Sequence, residues 1–360
     1  MKSFLSGNPL NLLRSALSYG GVSIGRTHVL LLYLLKSLVF LPLSVGEFVC
    51  YSRRITKTEI HQSPVFILGH NRSGTTLLHK LLSCDSQFGY CKNSDMLFPY
   101  VKTPFNKSFS QWFQQIFDLL GLKSFAYRDT RLILNDPQEE DMCMTALFTT
   151  ASSYWGFVFP NSARKNFKRF VYLQEEADKK LWVEQYLYFL KKISLKSNGK
   201  RLVLKNPANT ARIATLGRLF PRARFIFLHR NPENVIYSTK RIWDHAIDEL
   251  GLQKASEKVI YENIYSHYEQ MHDLYENGKL IFGENQLCEI SYTDLEKSPI
   301  ATLEKVYQQL ELGDFDLVKP SFEKQLAKEK SYQKFSYSQS QDLNENIRKR
   351  LKKYYLRWNY

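Results

Sequence analysis

Pro64-Val65-Phe66-Ile67-Leu68-Gly69-His70-Asn71-Arg72-Ser73-Gly74-Thr75-Thr76-Leu77-Leu78 passes from a strand-type apolar run through two glycines directly into an apolar helix. That order is the geometry of a phosphate cradle. Glycines let the backbone approach an anion, and the N–H groups at a helix start turn their partial positive charge toward it. The spacing Gly69-x4-Gly74-Thr75-Thr76 is that of a nucleotide P-loop, except that Thr75 stands where lysine is expected and an arginine comes earlier, at Arg72. A P-loop kinase or ATPase uses that lysine on the β/γ-phosphates and the neighbouring hydroxyl on magnesium. The stretch is therefore expected to hold phosphate without splitting ATP. Arg72 offers a fixed fork of donors to phosphate or sulfate oxygens, and Ser73, Thr75 and Thr76 add hydroxyls.

Working outward, Arg201-Leu202-Val203-Leu204 reads as a second strand, ending at Lys205-Asn206-Pro207. Ala223-Arg224-Phe225-Ile226-Phe227-Leu228 reads as a third, running into His229-Arg230-Asn231-Pro232 and on to Ser238. A fourth covers residues 287–290, and helical periodicity falls near 75–83, 174–197, 255–276 and 299–310, with aromatic and helical stretches through 105–155. Alternating strands and helices imply an α/β fold: a P-loop-like, three-layer α/β/α arrangement around a central, mainly parallel sheet. In such folds ligands gather at the carboxyl ends of the strands, where all three motifs begin. No internal repeat is visible.

On these residues the chain resembles the sulfotransferases that use 3′-phosphoadenosine-5′-phosphosulfate (PAPS), in the branch whose loop reads Gly69-His70-x-Arg72-Ser73-Gly74-Thr75-Thr76-Leu77-Leu78-His79. The resemblance covers roughly residues 64–360, including Tyr292-Thr293-Asp294-Leu295 and the ending from Tyr332 to Tyr360. It implies that His70, Asn71, Arg72, Ser73, Gly74, Thr75, Thr76 and Leu77 hold the 5′-phosphosulfate. It also implies that Arg230 and Ser238, eight residues apart, grip the 3′-phosphate, and that Lys205 stands near the transferring group. A basic loop near the C-terminus closes the nucleotide in relatives. Lys330 and Lys334 are the candidates here, although the glycine-containing form of that loop is missing. PAPS is then the co-substrate and desulfated PAP the product, with no metal required.

Transfer of a sulfuryl group to an alcohol or phenol needs removal of the acceptor proton, donors for the bridging oxygen of the leaving nucleotide, and in-line placement. Arg72, Lys205 and the loop amides answer the second need. For the first, relatives carry a carboxylate about as far beyond the loop as Asp95, usually a glutamate. Aspartate is shorter by one methylene, and a helix-capping aspartate reads equally well. Asn135-Asp136-Pro137-Gln138-Glu139-Glu140-Asp141 is the other acidic candidate, with Glu139 and Glu140 as bases or as residues that position Arg72 or the acceptor. Acids in a first helical turn are also favoured by the helix dipole alone. Many relatives have a histidine where the motif here reads Lys205-Asn206-Pro207-Ala208-Asn209; Asn209 cannot be a base and reads as a helix N-cap or near-cap residue. His70 is read as a sulfate donor or a loop hydrogen-bonder, and His79 as a packed residue.

Length and composition frame these motifs. The 360 residues, 44% hydrophobic and 14% aromatic, suffice for one elaborated domain. We expect an N-terminal hydrophobic segment over 1–60 and a catalytic domain over 61–360. Fifty basic against thirty-five acidic residues give +15, which invites a nucleic-acid or anionic-membrane reading. The lysines are spread along the chain, and neither zinc-finger spacing nor an RNA-binding aromatic signature appears, so no nucleic acid is expected. Five cysteines with no CxxC pair suit a reducing, cytoplasmic setting.

Residues 28–51 are rich in Leu, Val and Phe, but Lys36, Pro42 and Glu47 interrupt them short of the ~18 apolar residues of a confident span. A helix packed on the domain or one lying at a membrane interface, anchored by Arg53 and Arg54, is preferred over a short span. A small-molecule, lipid, phenol, sterol or glycan acceptor all fit, a membrane setting favours the lipid, and the oligomeric state is left open. Two alternatives stand beside the enzyme: a P-loop small-molecule kinase, and a catalytically inactive nucleotide-binding protein at a membrane.

Overall fold

A computed structural model describes residues 7–100, 107–121, 131–147, 149–329 and 341–360; Lys330 and Lys334 lie outside them. Five strands are described: β1 (Val65–Leu68), β2 (Phe88–Gly89), β3 (Arg201–Lys205), β4 (Arg224–His229) and β5 (Leu287–Ser291). The helices up to β3 are α1 (Pro9–Ser18), α2 (Thr27–Lys57), α3 (Thr75–Leu82), α4 (Asn93–Leu97), α5 (Lys107–Leu119), α6 (Glu140–Ala146), α7 (Trp155–Val158), α8 (Ala163–Phe170) and α9 (Glu176–Lys196). Those after it are α10 (Ile213–Leu219), α11 (Pro232–Leu250), α12 (Glu257–Gly278), α13 (Tyr292–Lys297), α14 (Pro299–Leu310), α15 (Phe315–Glu329), α16 (Gln341–Arg350) and α17 (Lys352–Trp358). The chain forms two compact units. The first comprises Met1–His61, Gly89–Lys200 and Ile242–Asn263, and the second Gln62–Phe88, Arg201–Arg241 and Ile264–Tyr360.

The second unit is built on the sheet, whose strand order is β2-β3-β1-β4-β5. β1 pairs in parallel with β3 (Val65 opposite Val203, Ile67 opposite Lys205) and with β4 (Val65 opposite Arg224, Leu68 opposite Phe227), and β4 pairs in parallel with β5. All four β1 residues are fully buried, as expected of a central parallel strand covered on both faces. Phe66 stacks on Phe225 at 5.3 Å, and Phe227 on Tyr275 at 3.8 Å. This register brings the carboxyl ends of β3, β1, β4 and β5 into one row. Lys205, the Gly69–Gly74 turn, Arg230 and Tyr292 leave the sheet side by side.

The first unit is helical. Trp182 and Tyr186, one turn apart on α9, stack at 4.6 Å and are completely buried. The 31-residue α2 runs without a break through Pro42, at the cost of one intrahelical hydrogen bond. Its inward stripe is Val29, Tyr33, Ser37, Phe40, Ser44, Glu47, Tyr51 and Ile55, all buried or half-buried. The steps of three and four residues keep that stripe on one face of the helix.

Candidate active site

In the second unit the Gly69–Gly74 turn is held by its own chemistry. Gly69 and Gly74 have φ of +136° and +101°, and both lack room for a side chain. A Cβ on Gly69 would lie 2.4 Å from the Leu228 carbonyl, and one on Gly74 would lie 2.3 Å from the Tyr292 ring. Arg72 is itself left-handed, at φ +72°, a strained setting for a non-glycine residue. Ser73 Oγ donates to the His70 carbonyl at 2.8 Å, and Gly69 N donates to Thr210 Oγ1 at 2.7 Å. α3 starts straight after Gly74, so its first N–H groups open toward the turn.

The distant motifs meet here. Arg72 Nε donates to Ser238 Oγ. Arg230 Nη1 donates to the Arg72 carbonyl at 3.1 Å, and Thr239 Oγ1 to the Asn71 carbonyl at 3.4 Å. The Arg230 guanidinium lies 4.2 Å over the Tyr292 ring, a cation–π seat that fixes its plane. On the other side of the turn, Lys205, 3% exposed, reaches Thr76 Oγ1 at 3.4 Å. One residue past it, Asn206 caps the 3-10 turn by accepting from Ala208 N at 3.1 Å, while its buried Nδ2 has no partner among the described residues. Three cations, a helix start and an open buried donor at one edge of the sheet fit a phosphorylated, sulfated ligand.

Some expectations are redrawn. Asn206, not Asn209, is the cap; Asn209 Oδ1 instead accepts from the buried Arg212 at 3.0 Å. The His70 ring is turned inward against His267, Tyr268 and His272. Burial pushes its pKa down to about 4, so at neutral pH it is an uncharged ring, and its Nδ1 meets the Asn71 carbonyl at 2.9 Å, the loop hydrogen bond that is one of its two readings. His79 is buried on α3, with its pKa lowered to about 3 by burial and then by the Lys205 charge. Tyr292 and Thr210 carry structural roles that the sequence did not single out. A tyrosine after a strand was visible, but no local pattern says that its ring will underlie Arg230.

The carboxylates belong to the first unit. Asp95 closes a capping box by accepting from Lys92 N at 2.8 Å, and Lys196 Nζ donates to its other oxygen. Burial is the largest influence on Lys196 and lowers its pKa, but the Asp95 charge and hydrogen bond, with smaller help from Cys143 and Cys91, together hold the amine above its ordinary value. Glu139 is the N-cap residue of α6, whose first helical residue is Glu140. It is half-buried, and Tyr154 Oη donates to its Oε2 at 2.6 Å. Glu140 is completely buried and accepts from Tyr186 Oη at 2.9 Å. Burial, followed by the Asp141 and Glu139 charges, raises its pKa from 4.5 to about 7.

A raised carboxyl pKa means that folded Glu140 keeps a proton that the unfolded chain releases. The stability this gives is present at low pH and is lost as pH climbs from about 4.5 to about 7. Glu140→Gln keeps a group able to accept from Tyr186 and has nothing to titrate. Thermal melts at pH values across that window should therefore fall with rising pH in the wild type and stay flatter in the variant; parallel curves would show that Glu140 is not the titrating group.

The sequence profile of the sulfotransferase family matches residues 64–316. Over 316 residues the chain is 30% identical to the omega-hydroxy-beta-dihydromenaquinone-9 sulfotransferases Stf3 of Mycobacterium bovis and Mycobacterium tuberculosis, which covers 87% of this chain and 79% of each relative. Among solved structures, sulfotransferase STF1 from M. tuberculosis has a TM-score of 0.67 at 17% identity, covering 96% of this chain and 93% of that one. STF9 from Mycobacterium avium has a TM-score of 0.68 at 16% identity, covering 97% and 96%. At such identities the two structures speak for the shared fold, a parallel α/β sheet of P-loop-like type.

Proposed function

The chain belongs to the sulfotransferase family, and from that premise we propose that it moves a sulfuryl group from PAPS to the hydroxyl of a lipid-type acceptor. The observation that carries the donor assignment is the joining of Arg72, Ser238 and Arg230 around one glycine-flanked turn. Residues far apart in the chain thus present donors to the two phosphate ends of one nucleotide. PAPS supplies an activated sulfuryl group when bound. His70, Asn71, Ser73, Gly74, Thr75, Thr76 and Leu77 would cradle its 5′ end mainly through backbone and hydroxyl donors, while Arg230 and Ser238 take the 3′-phosphate. Lys330 and Lys334 are proposed to close over the nucleotide.

On this reading Lys205 and Arg72 neutralise the bridging oxygen left on the 5′-phosphate as its bond to sulfur breaks and the acceptor oxygen bonds to sulfur. Glu139 takes the acceptor's proton. Asp95 has both oxygens engaged and Glu140 is sealed from solvent, so Glu139 is the preferred base of the three. With cations placed for the leaving oxygen, the proposal includes no metal. The acceptor class rests on the mycobacterial relatives, whose name specifies a hydroxylated menaquinone. A water-soluble donor and a lipid alcohol meet at a bilayer surface, so peripheral contact through residues 28–51 and a cytoplasmic workplace belong to the same reading.

Titration calorimetry with PAP tests the donor half. The wild type should bind, and Arg230→Ala, which removes a charge-assisted donor, should weaken binding by about 10- to 100-fold. Incubation with radiolabelled PAPS and a lipid extract should then label a lipid alcohol. No heat with PAP, or magnesium-dependent phosphate transfer from ATP, would overturn the assignment in favour of the kinase.

A further inference from the structure

The outward side of the first unit carries an apolar surface that a water-exposed protein has no use for. On α2, Leu31, Leu35, Leu38, Val39, Phe48 and Val49 are all more than half exposed, Phe48 at 70% and Val49 at 74%. α1 adds Leu10 and Leu17 on its own outward face, and Ile24 in the turn between the two helices is 91% exposed. Contiguous apolar patches of this kind mark a docking surface.

Two observations choose among occupants. The first is charge. From residue 7 to residue 57 the only acid is Glu47, and it faces inward in an ion pair with Lys192. Arg14, Arg53, Arg54 and Lys57 are exposed around the apolar face. Apolar side chains rimmed by cations match a leaflet of anionic lipid.

The second is the way α2 is fastened. By length and composition the Ile24–Lys57 segment qualifies as a membrane span. Yet the first unit holds it sideways along its length. Tyr33 Oη donates to the Leu250 carbonyl at 3.3 Å, Ser44 Oγ meets Tyr100 Oη at 3.0 Å, Glu47 pairs with Lys192, and Lys191 Nζ donates to the Thr56 carbonyl at 2.8 Å. From residue 33 to residue 56 this is roughly 35 Å of helix, more than the ~30 Å of a bilayer's hydrocarbon core. A spanning α2 would drag Lys192, Glu47 and their neighbours through that core, where unsatisfied polar groups are heavily penalised.

We propose that α1 and α2 dock the first unit side-on into one leaflet of an anionic bilayer without crossing it. This deepens the peripheral contact proposed above and does not depend on sulfuryl transfer: the docking follows from exposure, charge and fastening alone.

Flotation of the full chain with vesicles of phosphatidylcholine, with and without phosphatidylglycerol, measures docking without any turnover. The wild type should float with the vesicles, and phosphatidylglycerol should strengthen binding. Val39→Asp with Phe48→Asp should lower the partition coefficient at least about tenfold, since each removes apolar burial and adds a charge. A thermal melt serves as the folding control for that variant. Membrane-impermeant maleimide applied outside the vesicles should label Thr27→Cys and Lys57→Cys alike, both in a background with Cys50→Ser and Cys84→Ser, the two native cysteines that are not buried. Labelling of one end alone would mean a span and overturn the proposal. So would wild-type chain that stays at the bottom of the gradient, or a concentration-dependent dimer that the two aspartates dissolve, which would make the occupant a second copy.

Discussion

Glu139→Gln should lower kcat by roughly 10²–10⁴-fold, the usual loss when a general base is removed, while PAP binding stays as in the wild type. Glutamine keeps the shape of the α6 N-cap residue and still accepts from Tyr154 Oη, whose bond to Glu139 is 2.6 Å, so the fold is not asked to change. The comparison that gives this result meaning is Asp95→Asn. Asp95 is clamped between Lys92 N and Lys196, and its loss leaves a half-buried ammonium short of its counter-ion; the main effect expected there is on stability. Rapid-quench turnover with radiolabelled donor, run beside thermal melts, separates the two. A Glu139→Gln enzyme that turns over normally while a folded Asp95→Asn enzyme does not would move the base to Asp95.

Lys205→Met should cost about 10²–10³-fold in kcat, the scale seen when one preorganised donor to a developing negative charge is lost. Methionine keeps an unbranched stem at the end of β3, so the pairing of Ile67 with residue 205 and the packing beneath it survive. The loss should appear in single-turnover chemistry and much less in PAP affinity, because the charge on the bridging oxygen develops only as the bond to sulfur breaks. Equal losses in both would mean that Lys205 merely holds the nucleotide.

The sheet was legible because its strands are apolar runs that stop abruptly at polar residues. Val65–Leu68, Leu202–Leu204, Phe225–Leu228 and Leu287–Ile290 all lie inside observed strands. β2, two residues long, carries no periodicity to read. That Arg72 and the Arg230–Ser238 pair serve one nucleotide was implied by resemblance, their direct contact was not; the register of β1 with β4 provides its physical cause, since two parallel neighbours must deliver their following loops to the same edge. Other features depend on partners far away in sequence. Asp95 and Lys196 are 101 residues apart, and Arg230 finds Tyr292 after a whole crossover. The interruptions in the apolar N-terminal stretch were visible, but their meaning was not: Lys36 lies 5.7 Å over its neighbour Phe40, while Glu47 answers a lysine on another helix.

That last pairing bears on how this protein can be handled. Lys192 is 2% exposed on α9, one turn before Lys196, and it donates to Glu47 and to the Pro99 carbonyl. A chain shortened to begin near residue 60, the natural trim for anyone wishing to shed a greasy leader and gain solubility, would discard Glu47 and leave that ammonium interred with its anion gone. Orphaning one partner of such a pair costs about 3–5 kcal/mol, a sizeable part of a domain's ~5–15 kcal/mol margin. Helix α2 is thus a keystone of the first unit, and a chain trimmed at residue 60 should melt well below the full-length protein.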